Sequence, residues 1–132
     1  MVTERKAKIV VVIDDDEPFR AALQRLLKSA GLSVRSFASA EDFLNSGAQH
    51  ESGCLIADIR MPGMSGLDLQ AKLNAEVCPI PTIFITAHGD EKMRLQAMRG
   101  GAVKFFAKPF DAGILLESVR EALDSWGPES RL

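Results

Sequence analysis

The 132-residue sequence is poor in cysteine and histidine, and it lacks any long apolar run. Two cysteines, Cys54 and Cys78, are too few for a disulfide framework and favour reduced thiols in a cytosolic protein. No further Cys or His lies at ligand spacing, which argues against a zinc site. The longest apolar run, Ile9–Ile13, has 5 residues, far short of the roughly 20 needed to cross a bilayer. No signal-peptide stretch follows the N-terminus, so we expect a cytoplasmic protein without a membrane segment.

The sequence also has little net charge. Lys and Arg number 16 and Asp and Glu 18, which gives a formal charge of −2 and argues against a chain-wide electrostatic grip on nucleic acid. Neither the Gly-x-x-x-x-Gly-Lys-Ser/Thr pattern nor the Gly-x-Gly-x-x-Gly pattern occurs, so a bound nucleotide is not expected. The ordinary composition and length fit one globular domain.

Short apolar runs alternate with amphipathic segments five times along the chain. A β-branched run that is apolar on both faces is typical of a parallel strand covered by helices. The pattern therefore predicts a doubly wound α/β sheet with helices on both faces. The predicted strands are 9–13, 32–37, 54–57, 82–85 and 103–107, and the predicted helices lie near 18–30, 39–44, 67–74, 91–99 and 111–123, with a loop at 47–53.

Polar side chains follow four of the predicted strands. Asp14 and Asp15 follow the first, Asp58 the third, Thr86 the fourth and Lys108 the fifth. Because parallel strands end at one edge, these groups should meet there, where ligands bind in such sheets. Carboxylates that share a site repel one another, and Mg²⁺ would relieve the repulsion. The Lys and the hydroxyl would suit a phosphate.

Each of these residues taken singly has a simpler explanation. Asp16 and Glu17 suit the start of a helix, where acidic groups face the helix dipole. An Asp at a strand end is often a turn residue. The set as a whole is what points to a phosphate and metal site.

Four segments at these positions resemble the response-regulator receiver domain, the CheY-like family: residues 12–20, 57–66, 85–90 and 105–110. The second and third segments are most similar to the FixJ-like branch, which usually carries a DNA-binding domain after the receiver. The resemblance implies a flavodoxin-like (βα)5 fold with a five-stranded parallel sheet in the order 2-1-3-4-5. It also implies an N-terminal extension at 1–7, a receiver domain at 8–124, and a tail or linker at 125–132.

The resemblance implies a role for each residue of the predicted site. Asp58 would accept a phosphoryl group. Asp14, Asp15, Asp58 and the backbone carbonyl of Arg60 would bind Mg²⁺ (or Mn²⁺). Thr86 and Lys108 would contact the phosphoryl oxygens.

Further roles concern switching. Thr86 and Phe105 would form a conformational switch, Arg60 and His88 would tune the lifetime of the phosphorylated state, and the Lys108–Pro109 peptide bond would be cis. Switching would repack the surface formed by the fourth helix, fifth strand and last helix. The fourth helix carries four apolar residues, Met93, Leu95, Ala97 and Met98. Two of the four are expected in the core, and the other two on a partner surface.

The expected partner is a sensor histidine kinase or a phosphotransfer protein, with a possible phosphorylation-dependent homodimer. DNA would be reached only through an output domain absent from this chain, and no membrane contact is expected. The domain would catalyse only its own phosphorylation and dephosphorylation. One alternative, a phosphohydrolase, places a second Asp two residues after the nucleophile, where this chain has Arg60. The other is a receiver-like protein-binding module that does not accept phosphate.

Overall fold

The computed structural model describes residues 8–87 and 89–125, and it confirms the predicted α/β sheet. The five strands are all paired in parallel, in the order β2-β1-β3-β4-β5. A short 3₁₀ helix covers Ala48–His50. The elements are β1 Ile9–Ile13, α1 Glu17–Ser29, β2 Val34–Phe37, α2 Ala40–Ser46, β3 Ser52–Ala57, α3 Gly66–Ala75, β4 Thr82–Thr86, α4 Glu91–Arg99, β5 Lys104–Ala107 and α5 Ala112–Ser125.

The sheet is covered on both faces, as the apolar character of β1 predicts. Successive side chains of a strand point to opposite faces. Val10 and Val12 accordingly pack in the core under α1 and α5, whereas Val11 and Ile13 pack in the core under α2, α3 and α4. β3 and β4 are buried along their whole length, which fixes the positions at which their carboxyl ends emerge.

The helices begin at side-chain caps close to the carboxyl edge of the sheet. Asp16 accepts a hydrogen bond from the N–H of Phe19 and caps α1, at the helix start where an acidic group was expected to face the helix dipole. Ser65 and Asp68 form a reciprocal capping box at α3. Asp90 caps α4 in the same way as Asp16 caps α1. Each cap therefore defines where the loop that follows β1, β3 or β4 ends and the next helix begins.

Three strand starts were predicted wrongly, and β4 ends at Thr86, one residue beyond the predicted 82–85. β3 begins at Ser52, inside the predicted 47–53 loop, because Ser52 pairs with β1 while its hydroxyl donates to the Ala48 carbonyl at 2.7 Å. Ser and Gly are weak strand formers, so the sequence pattern hid this start. β2 begins at Val34 rather than at 32, since the Leu32 N–H bonds back to α1 after the left-handed Gly31. β5 begins at residue 104 rather than at 103.

The two cysteines differ in exposure. Cys54 in β3 is fully buried, and burial raises the pKa of its thiol to about 12. Cys78 is half-buried, and its thiol lies 4.0 Å from the Gln49 carbonyl. Neither forms a disulfide within the described residues. Among the helices of residues 8–87 and 89–125, none has the length and apolar character to cross a membrane.

A cavity of about 820 Å³ lies at the amino ends of β3, β4 and β5, and we call it the amino-end cavity. Uncharged side chains dominate its lining. The Gln70 amide donates to the Ala97 carbonyl and the Asn74 amide donates to the Gly100 carbonyl, both at 2.9 Å. The side-chain oxygen of Gln49 is buried and accepts no hydrogen bond from the described residues.

Candidate functional site

The carboxyl edge of the sheet brings the predicted polar residues together. Asp14 and Asp58 directly follow β1 and β3, Thr86 ends β4, and Lys108 follows β5. Backbone hydrogen bonds continue the strand pairing past the strand ends, from Asp58 N–H to Ile13 O at 3.1 Å and from Lys108 N–H to Thr86 O at 3.0 Å. The Lys108 ammonium lies 3.0 Å from Asp14 Oδ2 and 3.4 Å from Asp58 Oδ2.

Three carboxylates of this edge could hold one cation. Asp14, Asp15 and Asp58 each offer an oxygen atom, and these atoms lie within 4.8 Å of one another. One oxygen of each of the two buried groups accepts a backbone hydrogen bond, Asp14 Oδ1 from Asp16 N–H at 2.9 Å and Asp58 Oδ1 from Arg60 N–H at 3.2 Å. Hard carboxylate oxygens at this separation fit Mg²⁺ or Mn²⁺. The Arg60 carbonyl as a further ligand stays a prediction.

The charges of this edge are strongly coupled. Burial raises the pKa of Asp14, and the hydrogen bond from Asp16 N–H and the nearby Lys108 only partly offset it. Burial lowers the pKa of Lys108, but the hydrogen bond and charge of Asp14, with the charge of Asp58, outweigh burial and raise it. The site therefore disfavours uncompensated negative charge and already contains one cation that compensates for it.

The two residues predicted to switch lie in contact with one loop. Thr86 is buried and Phe105, in β5, is half-buried. A methyl group built on Gly89 would come within 2.7 Å of both the Phe105 ring and Thr86 Cγ2. The Phe105 ring thus lies against the loop after β4, beside the buried Thr86 side chain.

The remaining predicted residues have the following positions. Arg60 is exposed at the rim of the site. The Lys108–Pro109 peptide bond is cis. His88 lies outside the described residues, as does Trp126, for which the sequence suggested a cap or the start of a linker.

Two residues of α1 contact the site without having been assigned a role from the sequence. The Phe19 ring lies under Lys108, with the ammonium 4.0 Å from the ring centroid. The Arg20 guanidinium donates to the Asp14 carbonyl at 2.7 Å. Both lie about one helical turn after the acidic residues at 14–16, and that spacing is the signal that could have placed them near the carboxyl edge of the sheet.

Two contacts that shape the loop after Asp58 were also missed. Glu41, from α2, accepts a hydrogen bond from Met64 N–H at 2.9 Å. Gly66 packs so closely on the Asp58 carbonyl that a Cβ atom there would overlap it. Neither contact has a periodic sequence signal, because each depends on how a helix packs against the loop.

With this geometry established, comparison with known proteins identifies the family. Residues 10–120 match the family model described as the response regulator receiver domain. The chain belongs to this family. The CheY-like and FixJ-like resemblance and the fold expected from it are confirmed. The receiver domain is a signalling domain of two-component response regulators.

Curated relatives are longer than this receiver domain. It is 48% identical over 118 residues to the response regulator protein TodT of Pseudomonas putida, covering 89% of this chain and 52% of TodT. It is 42% identical over 122 residues to the transcriptional regulatory protein FixJ of Azorhizobium caulinodans, covering 92% of this chain and 58% of FixJ. The chain therefore spans little more than half the length of these relatives.

Solved structures show the same fold. The crystal structure of FixJ-N superposes with a TM-score of 0.84 at 37% identity, covering 93% of this chain and 98% of that one. The low-resolution structure of the response regulator StyR gives a TM-score of 0.84 at 44% identity, covering 90% of this chain and 60% of that one. The names of these relatives fit the expected link to transcription regulation.

Proposed function

We propose that this receiver domain accepts a phosphoryl group on Asp58, with a divalent cation held by Asp14, Asp15, Asp58 and the Arg60 carbonyl. One observation carries the proposal: three carboxylate oxygens within 4.8 Å of one another, with the Lys108 ammonium 3.0 and 3.4 Å from two of the same carboxylates. An acidic cluster alone is common, whereas a cluster built around a half-buried Lys suits an anion that carries its own oxygens.

The reaction needs a nucleophile, charge neutralisation and a donor. An Asp58 oxygen bonds to phosphorus while the bond from phosphorus to the donor nitrogen or oxygen breaks and the leaving group keeps that electron pair. A bound Mg²⁺ supplies neutralisation of charge on the transferring oxygens. Lys108 also stabilises those oxygens, and the Thr86 hydroxyl donates to one of them in the product.

The proposed donor is a phosphohistidine of a sensor histidine kinase or of a phosphotransfer protein, or a small acyl phosphate. Exposed Asp15 and Arg60 at the rim leave the site accessible to such a donor. The product is an acyl phosphate that water hydrolyses, and Arg60 and His88 are the residues proposed to set its lifetime. The reaction is thus confined to the domain's own phosphorylation and dephosphorylation.

The proposed output is a change on the surface formed by α4, β5 and α5. The phosphoryl group adds close to two negative charges beside Thr86, whose side chain adjoins Gly89 and Phe105. Of the apolar side chains of α4, Ala97 is buried and Met93 half-buried, whereas Leu95 and Met98 are 39% and 38% exposed. Two exposed apolar residues on this helix suit a docking surface for a second copy or an output partner.

The deciding experiment is mass spectrometry after incubation with acetyl phosphate and Mg²⁺. We expect a gain of one phosphoryl group in the wild type, none in Asp58→Asn, and an unchanged gain in Asp124→Asn, whose exposed carboxylate lies on α5. No gain in the wild type would favour the alternative, a protein-binding module that does not accept phosphate. Sedimentation with and without a phosphoryl mimic tests the output: an unchanged mass and unchanged partner affinity would contradict it.

A further inference from the structure

The Lys108 side chain contacts three groups in the described part of the chain. Two are carboxylate oxygens, Asp14 Oδ2 at 3.0 Å and Asp58 Oδ2 at 3.4 Å. The third is the face of the Phe19 ring, whose centroid lies 4.0 Å from the ammonium. The face of an aromatic ring carries partial negative charge, so this geometry is attractive for a cation.

The three contacts differ in whether they survive the proposed reaction. A divalent cation on Asp14 and Asp58 would compete with the ammonium for the same oxygens, and an Asp58 oxygen is also the nucleophile. The Phe19 ring is used by neither the metal nor the phosphoryl group. It is therefore the contact that can hold Lys108 in place while the carboxylates are engaged elsewhere.

The Phe19 ring is itself fixed in position. It lies in the first turn of α1, where Pro18 and the Asp16 cap define the backbone. Phe110, two residues after Lys108, packs edge-to-face on it, with ring centroids 5.9 Å apart and an interplanar angle of 84°. The loop after β5 is thus joined to α1 by a ring–ring and a ring–cation contact, and the side chain of Lys108 is left only 16% exposed.

We propose that Phe19 is a positioning residue: the face of its ring holds the Lys108 ammonium at Asp58 in the orientation that phosphoryl transfer uses. This inference rests on the proposed function of Asp58. It concerns electrostatics rather than shape, because an aliphatic side chain of similar size could fill the same volume without attracting the ammonium.

Fluorination of the Phe19 ring tests this directly, because fluorine withdraws the charge of the ring face with little change in volume. We would incorporate mono-, di- and trifluorophenylalanine at position 19 and, as a control, at the fully buried Phe43 in α2. Two readouts are needed: the ring-current shift of the Lys108 side-chain protons by NMR without and with Mg²⁺, and the phosphorylation rate with acetyl phosphate and Mg²⁺.

We expect stepwise loss of the ring-current shift and a stepwise fall in rate at position 19, about five-fold in total, which corresponds to roughly 1 kcal/mol. The same series at Phe43 should change neither readout. Phe19→Leu, which has no ring, should match the trifluorinated protein in rate, and Phe19→Tyr, which keeps the ring face, should keep the wild-type values of both readouts.

Unchanged Lys108 signals across the series would overturn the proposal, as would a fall in rate without a change in those signals. A change in the signals with a constant rate would overturn the link to phosphoryl transfer. If the unmodified protein gains no phosphoryl group, the function proposed for Asp58 fails, and the NMR series still decides whether the ring holds the ammonium.

Discussion

The two ends of the sheet use polar groups in different ways. At the carboxyl ends of the strands, Asp14 and Asp58 are buried around one ammonium. At the amino ends, the neutral amides of Gln70 and Asn74 each donate one hydrogen bond to the C-terminal end of α4, beside the amino-end cavity. Burying charges costs far more than burying amides that are hydrogen-bonded. The carboxyl end therefore carries a larger desolvation cost than the amino end.

The largest expected difference between the two ends comes from adding one methyl group at each. In Gly66→Ala the new Cβ would overlap the backbone carbonyl of Asp58, so the backbone must shift, whereas in Gly100→Ala it meets the movable Gln70 amide. We expect Gly66→Ala to lose about 2–3 kcal/mol of stability and more than ten-fold in phosphorylation rate. Gly100→Ala should lose only about 1 kcal/mol of stability, because the displaced Gln70 amide would lose its hydrogen bond to the Ala97 carbonyl.

Urea denaturation and phosphorylation by acetyl phosphate measure these two effects separately. Comparable losses of phosphorylation rate in Gly66→Ala and Gly100→Ala would contradict the expectation that only the carboxyl end of the sheet affects phosphorylation.

A smaller effect should follow from removing one buried charge at the carboxyl end. Because burial raises the pKa of Asp14 above the usual 3.8, the folded chain binds a proton more tightly than the unfolded chain, and ionisation lowers stability as pH rises from 3.8 through the raised pKa. Asp14→Asn keeps an acceptor for Asp16 N–H and leaves Asp58 for Lys108. It should unfold at higher urea concentration than the wild type near pH 7, but not below pH 3.8.

The control for this measurement is Asp124→Asn, which removes an exposed charge from α5 at the opposite end of the molecule. An Asp14→Asn stability difference that stays constant between acidic and neutral pH would contradict the assigned role of burial.

The smallest effect is expected at the amino-end cavity. The side-chain oxygen of Gln49 is buried without a donor among the described residues, so Gln49→Met should raise stability by roughly 0.5–1 kcal/mol. Gln70→Met is the matched comparison: it removes the donor to the Ala97 carbonyl and should lower stability by about 1–2 kcal/mol. Thermal unfolding measures both changes in stability. A change in phosphorylation rate in either variant would contradict the expectation that the amino end does not affect phosphorylation.

The sequence allowed the site to be predicted more completely than the strand boundaries. Asp14, Asp58 and Lys108 directly follow apolar runs, and a parallel sheet brings such positions to one edge whatever the details of packing. The start of β3 at Ser52 could not be read in this way, because pairing with β1, rather than intrinsic propensity, makes it a strand.

Contacts between elements were not predicted from the sequence. The Phe19 ring reaches Lys108 only because α1 packs against the loop after β5. Glu41 meets Met64 across 23 residues of chain, through the packing of α2 beside the loop after Asp58. Side chains that follow strands are positioned by topology, whereas those that approach from helices are positioned by tertiary packing.

The two cysteines provide a means of timing the opening of the fold. Only the thiolate reacts with alkylating reagents, and Cys54, with a pKa of about 12, is covered by the core under α1 and α5. Alkylation at Cys54 should therefore await separation of those helices from the sheet, whereas Cys78 is already partly accessible in the native protein. Comparing the two alkylation rates in one sample would report how often this face opens, without introducing any new residue into the protein.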